Sequence, residues 1–254
     1  GANVIKVERP EGGDTARGGA PKVKNDKGET QSGYFLRFNR NKRSVTINLK
    51  SDQGRQLFKD LASKADVVVE NFRPGLLDEM GLGYKALAEK NPGLIYACIS
   101  GFGSLDGFLG PYSKRPAYDI VAQAMGGLMN TCGAADGPPT WLGTALGDIV
   151  SGMNAAHAIT LALFERTQTG KGQFVDISMY DTIIGLAERS VTAYSLTKHV
   201  LQRGREPYMA PWGPFQCTDG YVGIIVATEG DWAKFCAAIE RPDLVGKEGT
   251  TSGP

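Results

Sequence analysis

"ADVVVENF", residues 65 to 72, is a short continuous apolar run that ends in an acid, an amide and an aromatic ring. Three valines in a row fit a strand buried on both faces of a parallel sheet, since a half-exposed strand would alternate apolar with polar residues. Working outward, Ser51 is placed to cap a helix running to about Lys64, in which Leu57, Phe58 and Leu61 fall on one face. On the other side a helix over about Tyr84 to Lys90 stops at Asn91-Pro92-Gly93, and "LIYACIS" (94 to 100) repeats the buried-strand pattern. "NVIKVE" (3 to 8), "RSVTINL" (43 to 49) and "QFVDISM" (173 to 179) read as further strands. Helices are expected at about 118 to 129, 148 to 167, and from the last strand to about Leu196. Strands this apolar, alternating with helices, predict an α/β layer fold with a mainly parallel sheet.

After residue 206 the texture changes. "GPFQCTDGYVGIIVAT" holds two strand-like runs joined by Thr218-Asp219-Gly220, a hairpin signal, with a helix from about Asp231. The expected organisation is a large domain over 1 to 185, a linker over 186 to 206, and the start of a smaller domain over 207 to 254. The chain opens without Met, directly into a strand, and closes in the polar run "GKEGTTSGP", so it is expected to be a piece of a longer polypeptide. Residues 10 to 33 read as one polar, glycine-rich loop, too long to be a mere connection.

The 254 residues are 41% hydrophobic and 22% charged with a formal net charge of +1, an ordinary globular composition with no bias toward nucleic acid or membrane. The longest apolar runs fall well short of the roughly 20 residues that span a bilayer. A cytosolic or organelle-luminal protein is expected. Four scattered cysteines without a C-x-x-C pair, and two histidines about forty residues apart, give no metal-ligand spacing, and no metal is expected.

Ligands of open α/β sheets bind where the strands end. Four stretches carry suitable chemistry. In "ERPEGGDTARGG", Arg9, Arg17 and the glycines could receive a phosphate; a flexible solvated loop is the equal alternative. In "ENFRPG", Asn71 offers a donor and an acceptor, Phe72 a ring for stacking and Arg73 a charge for phosphate, although the same residues also make a rigid turn. In "RPAYDIVAQAMGG" and "LGDIVSG", Asp119 and Asp148 each start an apolar helix. An N-cap is the simpler reading of either acid. Gly147, Ser151 and Gly152 nevertheless clear space around Asp148, and a carboxylate so placed can be a nucleophile toward an activated acyl group.

Taken in order, "GANVIKVERPEGGDTAR", "NRNKRSVTINLKSDQGR", "ADVVVENFRPG", "GLIYACISGFG", "PAYDIVAQAMGG", "GDIVSGMNAAHAI" and "RTQTGKGQFVDISMYD" resemble the class III coenzyme A transferases. This is the family of formyl-CoA transferase, carnitine CoA-transferase and the α-methylacyl-CoA racemases. The resemblance is continuous over about residues 1 to 185 and weaker to about 245. It implies a Rossmann-like parallel sheet with helices on both faces, a smaller second domain, and a homodimer of interlocked ring-like protomers. It further implies transfer of CoA from an acyl-CoA donor to a free carboxylic acid, with acyl-CoA as substrate and no metal. The nucleophilic aspartate of the transferases falls on Asp148. The CoA-contacting positions fall on Arg9, on Ile47, Asn48, Leu49 and Lys50, on Asn71, Phe72 and Arg73, and on Tyr118 and Asp119. Where the racemases resemble "HD", this chain has Tyr118-Asp119 and so lacks one of their two bases, which favours the transferases. A racemase-type isomerase and a CoA-binding subunit without turnover are the alternatives. Set against the resemblance, residues 1 to 254 are expected to lack the family's N-terminal strand and helix, and the glycine-rich loop over the aspartate in formyl-CoA transferase has only "APWGPF" as a candidate. Glu79 stands where that enzyme has a CoA-binding arginine, and Arg73 is expected to compensate.

Overall fold

A computed structural model describes residues 1–204 and 211–247. Three parallel strands form its central sheet in the order β5 (Val67–Glu70), β6 (Ile95–Ser100), β7 (Phe174–Ser178). β6 is the middle strand and is almost wholly buried, as its apolar run requires. Its side chains alternate between two cores. Tyr96 and Cys98 pack with Ala62, Leu77, Leu82 and Leu87 from helices α2 (Asp52–Ala62), α3 (Leu76–Glu79), α4 (Tyr84–Ala88) and their flanks. Ile95 and Ala97 pack with Ala158, Ile159, Ala162 and Leu163 of α7 (Leu146–Thr169). Helices therefore cover both faces of a parallel sheet, the α/β architecture expected. A second parallel pair joins β1 (Val4–Glu8) to β4 (Lys42–Thr46).

Several details differ from the expectation. β5 is not buried on both faces: Val69 is 56% exposed, because β5 is the outer strand of the three and α7 packs mainly over β6 and β7. Leu57 is exposed as well, since α2 turns Gly54, Phe58 and Ala62 toward the core. β4 stops at Thr46, which leaves residues 47 to 50 as a turn. Residues 10 to 33 are not one loop. They contain a 3-10 turn (Thr15–Gly18) and an antiparallel hairpin of β2 (Lys22–Lys24) and β3 (Thr30–Ser32), which runs into α1 (Gly33–Asn39). The helix over 118 to 129 breaks at Gly127, whose φ of 83° is left-handed, into α5 (Asp119–Met125) and α6 (Leu128–Thr131). The helix to Leu196 is likewise two helices, α8 (Met179–Leu186) and α9 (Glu188–Thr197).

By internal packing the chain forms two units: Gly1–Ala122 with Leu146–Thr182, and Gln123–Ala145 with the described part of Ile183–Pro254. In the second unit β8 (Trp212–Gln216) and β9 (Tyr221–Ile225) make an antiparallel hairpin, its turn closed by the Cys217 N–H donating to the Gly220 carbonyl at 2.8 Å. Helix α10 (Glu229–Ala238) follows, with Trp232 and Cys236 packed on Val226. Residues 205–206 of the expected linker, 207–210 and 248–254 of the expected second domain, and Ala210 of "APWGPF" lie outside the described residues. Among the described residues no helix is long and apolar enough to cross a membrane.

The first loop is anchored by a buried charge. Glu8, the last residue of β1, has a side chain only 2% exposed. Arg17 grips it with two hydrogen bonds of 2.8 and 2.7 Å, and the Ser44 hydroxyl and the Asp14 N–H donate at 2.7 and 2.8 Å. The Arg17 bonds, aided by Ser44 and Asp14, outweigh burial and hold the Glu8 carboxyl down to about 2, from an ordinary 4.5. A carboxyl depressed in the folded state adds stability above its ordinary value and loses it as pH falls through the depressed one. After discounting for the half-exposed Arg17, this contribution is on the order of 2 kcal/mol. Glu8→Gln is therefore expected to lower stability to urea by about 2 kcal/mol at pH 7, with the difference from wild type closing between pH 4.5 and 2.

Candidate functional site

The carboxyl ends of the parallel strands carry most of the residues singled out from sequence. Ile47 donates its N–H to the Glu8 carbonyl at 2.9 Å, so the Ile47–Lys50 turn lies beside the end of β1. The Asn48 side chain accepts the Lys50 N–H at 3.1 Å, and Arg55 donates to the Leu49 and Lys50 carbonyls at 3.3 and 3.0 Å. Helix α2 starts against this turn, with the Ser51 hydroxyl capping the Gly54 N–H; a Cβ on Gly54 would lie 1.9 Å from the Asn48 carbonyl oxygen. The backbone is thus fixed while Lys50 stays exposed. Arg9, exposed and next to Glu8, donates to the Gly13 carbonyl at 2.8 Å. Arg17 is not available to a phosphate in the way its sequence position suggested, because Glu8 holds it and its guanidinium lies 4.0 Å over the Phe35 ring.

At the end of β5, Asn71 donates to the Ile99 carbonyl at 2.6 Å and the Phe72 N–H donates to the Glu70 carboxylate at 2.7 Å. Phe72 is 49% exposed, which leaves ring surface for stacking. Arg73 and Glu79 form an exposed ion pair at 2.7 Å. Arg73 therefore does not stand free to replace an arginine at 79; it is engaged by the residue it was expected to offset. Exposed pairs of this kind contribute little to stability.

The structure brings Asp119 and Asp148 together. α7 begins at Leu146, so Asp148 is the third residue of its first turn and not its cap. Asp119 takes part of the capping role from a different helix: its buried carboxylate accepts the Gly147 N–H at 2.7 Å. A Cβ on Gly147 would meet Asp119 at 3.1 Å and Ala122 at 3.5 Å, so this glycine serves the approach of α5 and does not clear space around Asp148. Gly152, by contrast, faces open space, and Ser151 is fully buried. The Asp148 side chain reaches solvent. Partial desolvation first, and the negative charge of Asp119 second, push its pKa up, against the helix N-terminus. Tyr118 is 82% exposed beside Asp119.

The candidate residues thus occupy three places: Arg9 with the 47–50 turn, Asn71–Arg73, and Tyr118–Asp119 with Asp148. His157 lies exposed on α7. Sequence reasoning passed over Glu8 and Glu70. The available signal was that "VIKVE" and "VVVE" are apolar strands that both end in an acid.

The CoA-transferase family III model matches residues 1–252, and the chain belongs to that family. It is 42% identical over 246 residues to the succinyl-CoA:mesaconate CoA-transferase of Haloarcula marismortui, covering 96% of this chain and 62% of that protein. It is 40% identical over 247 residues to the acetyl-CoA:oxalate CoA-transferase of Acetobacter aceti, covering 96% and 61%. The chain thus spans somewhat over half the length of these relatives. A CaiB/BaiF family protein from Brucella suis has a similar structure, with a TM-score of 0.83 and 38% identity over 99% of this chain and 66% of that one.

Asp119→Asn keeps an oxygen for the Gly147 amide and removes the neighbouring charge. The Asp148 carboxyl is expected to titrate at lower pH in that variant, while burial, the larger cause, holds it above the usual carboxylate range. Carbon-13 NMR of the Asp148 carboxyl reads the midpoint, and an unchanged value contradicts the coupling.

Proposed function

We propose that the full-length protein moves CoA from an acyl-CoA to a free carboxylic acid, with Asp148 as the nucleophile. The observation that carries this reading is the placement of Asp148: an exposed carboxylate in the first turn of α7, without a side-chain hydrogen bond among the described residues, next to the Gly147 amide that Asp119 anchors. Membership of the transferase family and relatives named for acyl-CoA donors and carboxylic acid acceptors support it.

The chemistry balances without a net proton. The Asp148 carboxylate attacks the donor thioester, the C–S bond breaks, and a mixed anhydride and CoA thiolate result. The thiolate attacks the aspartyl carbonyl, releasing the donor acid as its carboxylate and leaving an aspartyl-CoA thioester. The acceptor carboxylate then attacks that carbonyl and expels the thiolate, which returns to the acceptor's acyl carbon and frees Asp148. Splitting one exchange into steps, with the thiolate held close, lowers each barrier. Arg9, Ile47–Lys50, Asn71–Arg73, Tyr118 and Asp119 are the proposed CoA contacts: cations for phosphates, Phe72 for the adenine face, and the fixed 47–50 backbone for polar edges.

We further propose a homodimer in the cytoplasm. Met153, Leu161 and Phe164 present large exposed apolar side chains along α7, the kind of surface that a second copy covers. Light scattering of the full-length protein tests this, with a monomer at micromolar concentration as the contrary result.

In the full-length protein, Asp148→Asn is expected to reduce transfer between an acyl-CoA and an acid by at least roughly a thousandfold. Hydroxylamine added during turnover is expected to leave a hydroxamate on residue 148, read by mass spectrometry. Full activity in the variant overturns the proposal. Exchange of the α-proton in deuterated water without transfer would instead mark an isomerase, and CoA binding with no exchange among succinyl-CoA, acetyl-CoA and a panel of acids a non-catalytic subunit.

A further inference from the structure

Glu70, Cys98 and Asp176 stand in register across β5, β6 and β7 near the carboxyl edge of the sheet, two residues before the Ser100–Ser178 pair that ends β6 and β7. Ser104, in the loop that leaves β6, closes the row. Its hydroxyl lies 2.9 Å from the Asp176 carboxylate and 3.4 Å from the Cys98 sulfur, and the Ser104 and Leu105 amides donate to Asp176 at 2.9 and 3.0 Å. Cys98 is the register partner of Glu70 on the neighbouring strand, and the Glu70 carboxylate accepts the Phe72 N–H at 2.7 Å.

An acid in this place is a burden to the fold. Burial pushes the Glu70 carboxyl up, and the charges of Asp78 and Asp176 add to that push against the bonds from Cys98 and Phe72. An apolar residue would extend the β5 run without these costs. What Glu70 provides is a fixed acceptor for the Phe72 amide, the second of the loop that follows. With the Asn71 side chain tied to Ile99, both the backbone and one side chain of the turn are held, while the Phe72 ring stays half exposed. Fixing a binding loop before the ligand arrives removes an ordering cost from the affinity.

We propose that Glu70 is a positioning residue for acyl-CoA: by accepting the Phe72 N–H from within the Glu70–Cys98–Ser104–Asp176 row, it holds Asn71, Phe72 and Arg73 in their ligand-ready arrangement. The proposal rests on the reading of those three residues as CoA contacts. Glu70 touches neither the thioester nor Asp148 in this scheme, so its effect falls on CoA affinity and not on the chemical steps.

The test uses the full-length protein as wild type, Glu70→Ala and Glu70→Gln. Calorimetry measures the Kd for free CoA, steady-state kinetics gives kcat and the KM of each substrate, and thermal melts report the fold. Losing one charge-assisted bond predicts that Glu70→Ala raises the CoA Kd and the acyl-CoA KM roughly tenfold, with kcat and the acid's KM within about twofold. Glu70→Gln retains an amide oxygen for the Phe72 N–H and is expected to recover CoA affinity to within about threefold of wild type. Equal CoA affinity in wild type and Glu70→Ala overturns this proposal alone. So does a loss in Glu70→Ala that falls on kcat and both KM values together in step with the melting temperature, or a Gln variant as impaired as Ala. Wild-type protein that binds no CoA overturns the reading of Asn71–Arg73 and this proposal with it.

Discussion

The rest of the structure depends on β6 being buried on both faces. A strand in that position must have its backbone paired on both sides, which β5 and β7 supply, and must find apolar partners above and below. The two partners are unlike. On one face the leucines of α3, α4 and the Leu82 turn fill the space around Tyr96 and Cys98; on the other, the alanines of α7 allow a long helix to lie close over Ile95 and Ala97. Because the three strands are parallel, their carboxyl ends share one edge. The loops that leave that edge carry Asn71–Arg73 and Ser104, and the second of them leads on to Tyr118 and Asp119. The site is therefore a consequence of strand direction, with the core deciding where the edge lies.

At the carboxyl ends of its parallel strands the molecule handles two acids in opposite ways, one buried and one half-buried. Glu8 and Glu70 both end a parallel strand, and both accept an amide from the loop that follows. Glu8 meets a guanidinium and a hydroxyl, and its carboxyl is held at about 2. The loop it organises is thus fastened by an ion pair that contributes to stability at neutral pH. Glu70 shares its surroundings with a thiol and two further acids, and its pKa rises. Its loop is fastened at the expense of the fold, a pattern that fits a residue retained for what it positions and not for what it stabilises.

The parallel strands and their covering helices were legible because a buried strand must be apolar throughout, and "LIYACIS" and "ADVVVENF" are. What local pattern does not carry is the neighbour. Val69 has the same composition as the interior of β6 and is exposed, because no helix lies over it. Arg17 and Arg73 read as free cations, since nothing in the sequence near them announces Glu8 nine residues back or Glu79 across a short helix. Residues 10 to 33 look featureless because a hairpin of two three-residue strands and a single 3-10 turn are too short for any periodicity to register. The site residues could be placed on their loops by motif order. Their pairing, above all Asp119 with the Gly147 amide, needed the fold.

Asp148 sharpens that last point. Read locally, it was a helix cap, and a cap is a stabilising carboxylate whose pKa falls as amides donate to it. In the structure the amide nearest that role belongs to Gly147 and is taken by Asp119, while Asp148 keeps a raised pKa. A carboxyl raised in the folded state favours folding below its ordinary pKa and disfavours it as pH rises through the raised value, so ionised Asp148 costs stability at neutral pH. Asp119 could meet the Gly147 amide as an asparagine. Its charge strengthens that bond, and it also makes the neighbouring carboxylate harder to form. The same charge makes that carboxylate, once formed, more basic, and in acyl transfer basicity and nucleophilic strength rise together. Two acids held side by side at a helix start are a poor arrangement for a cap and a suitable one for a nucleophile.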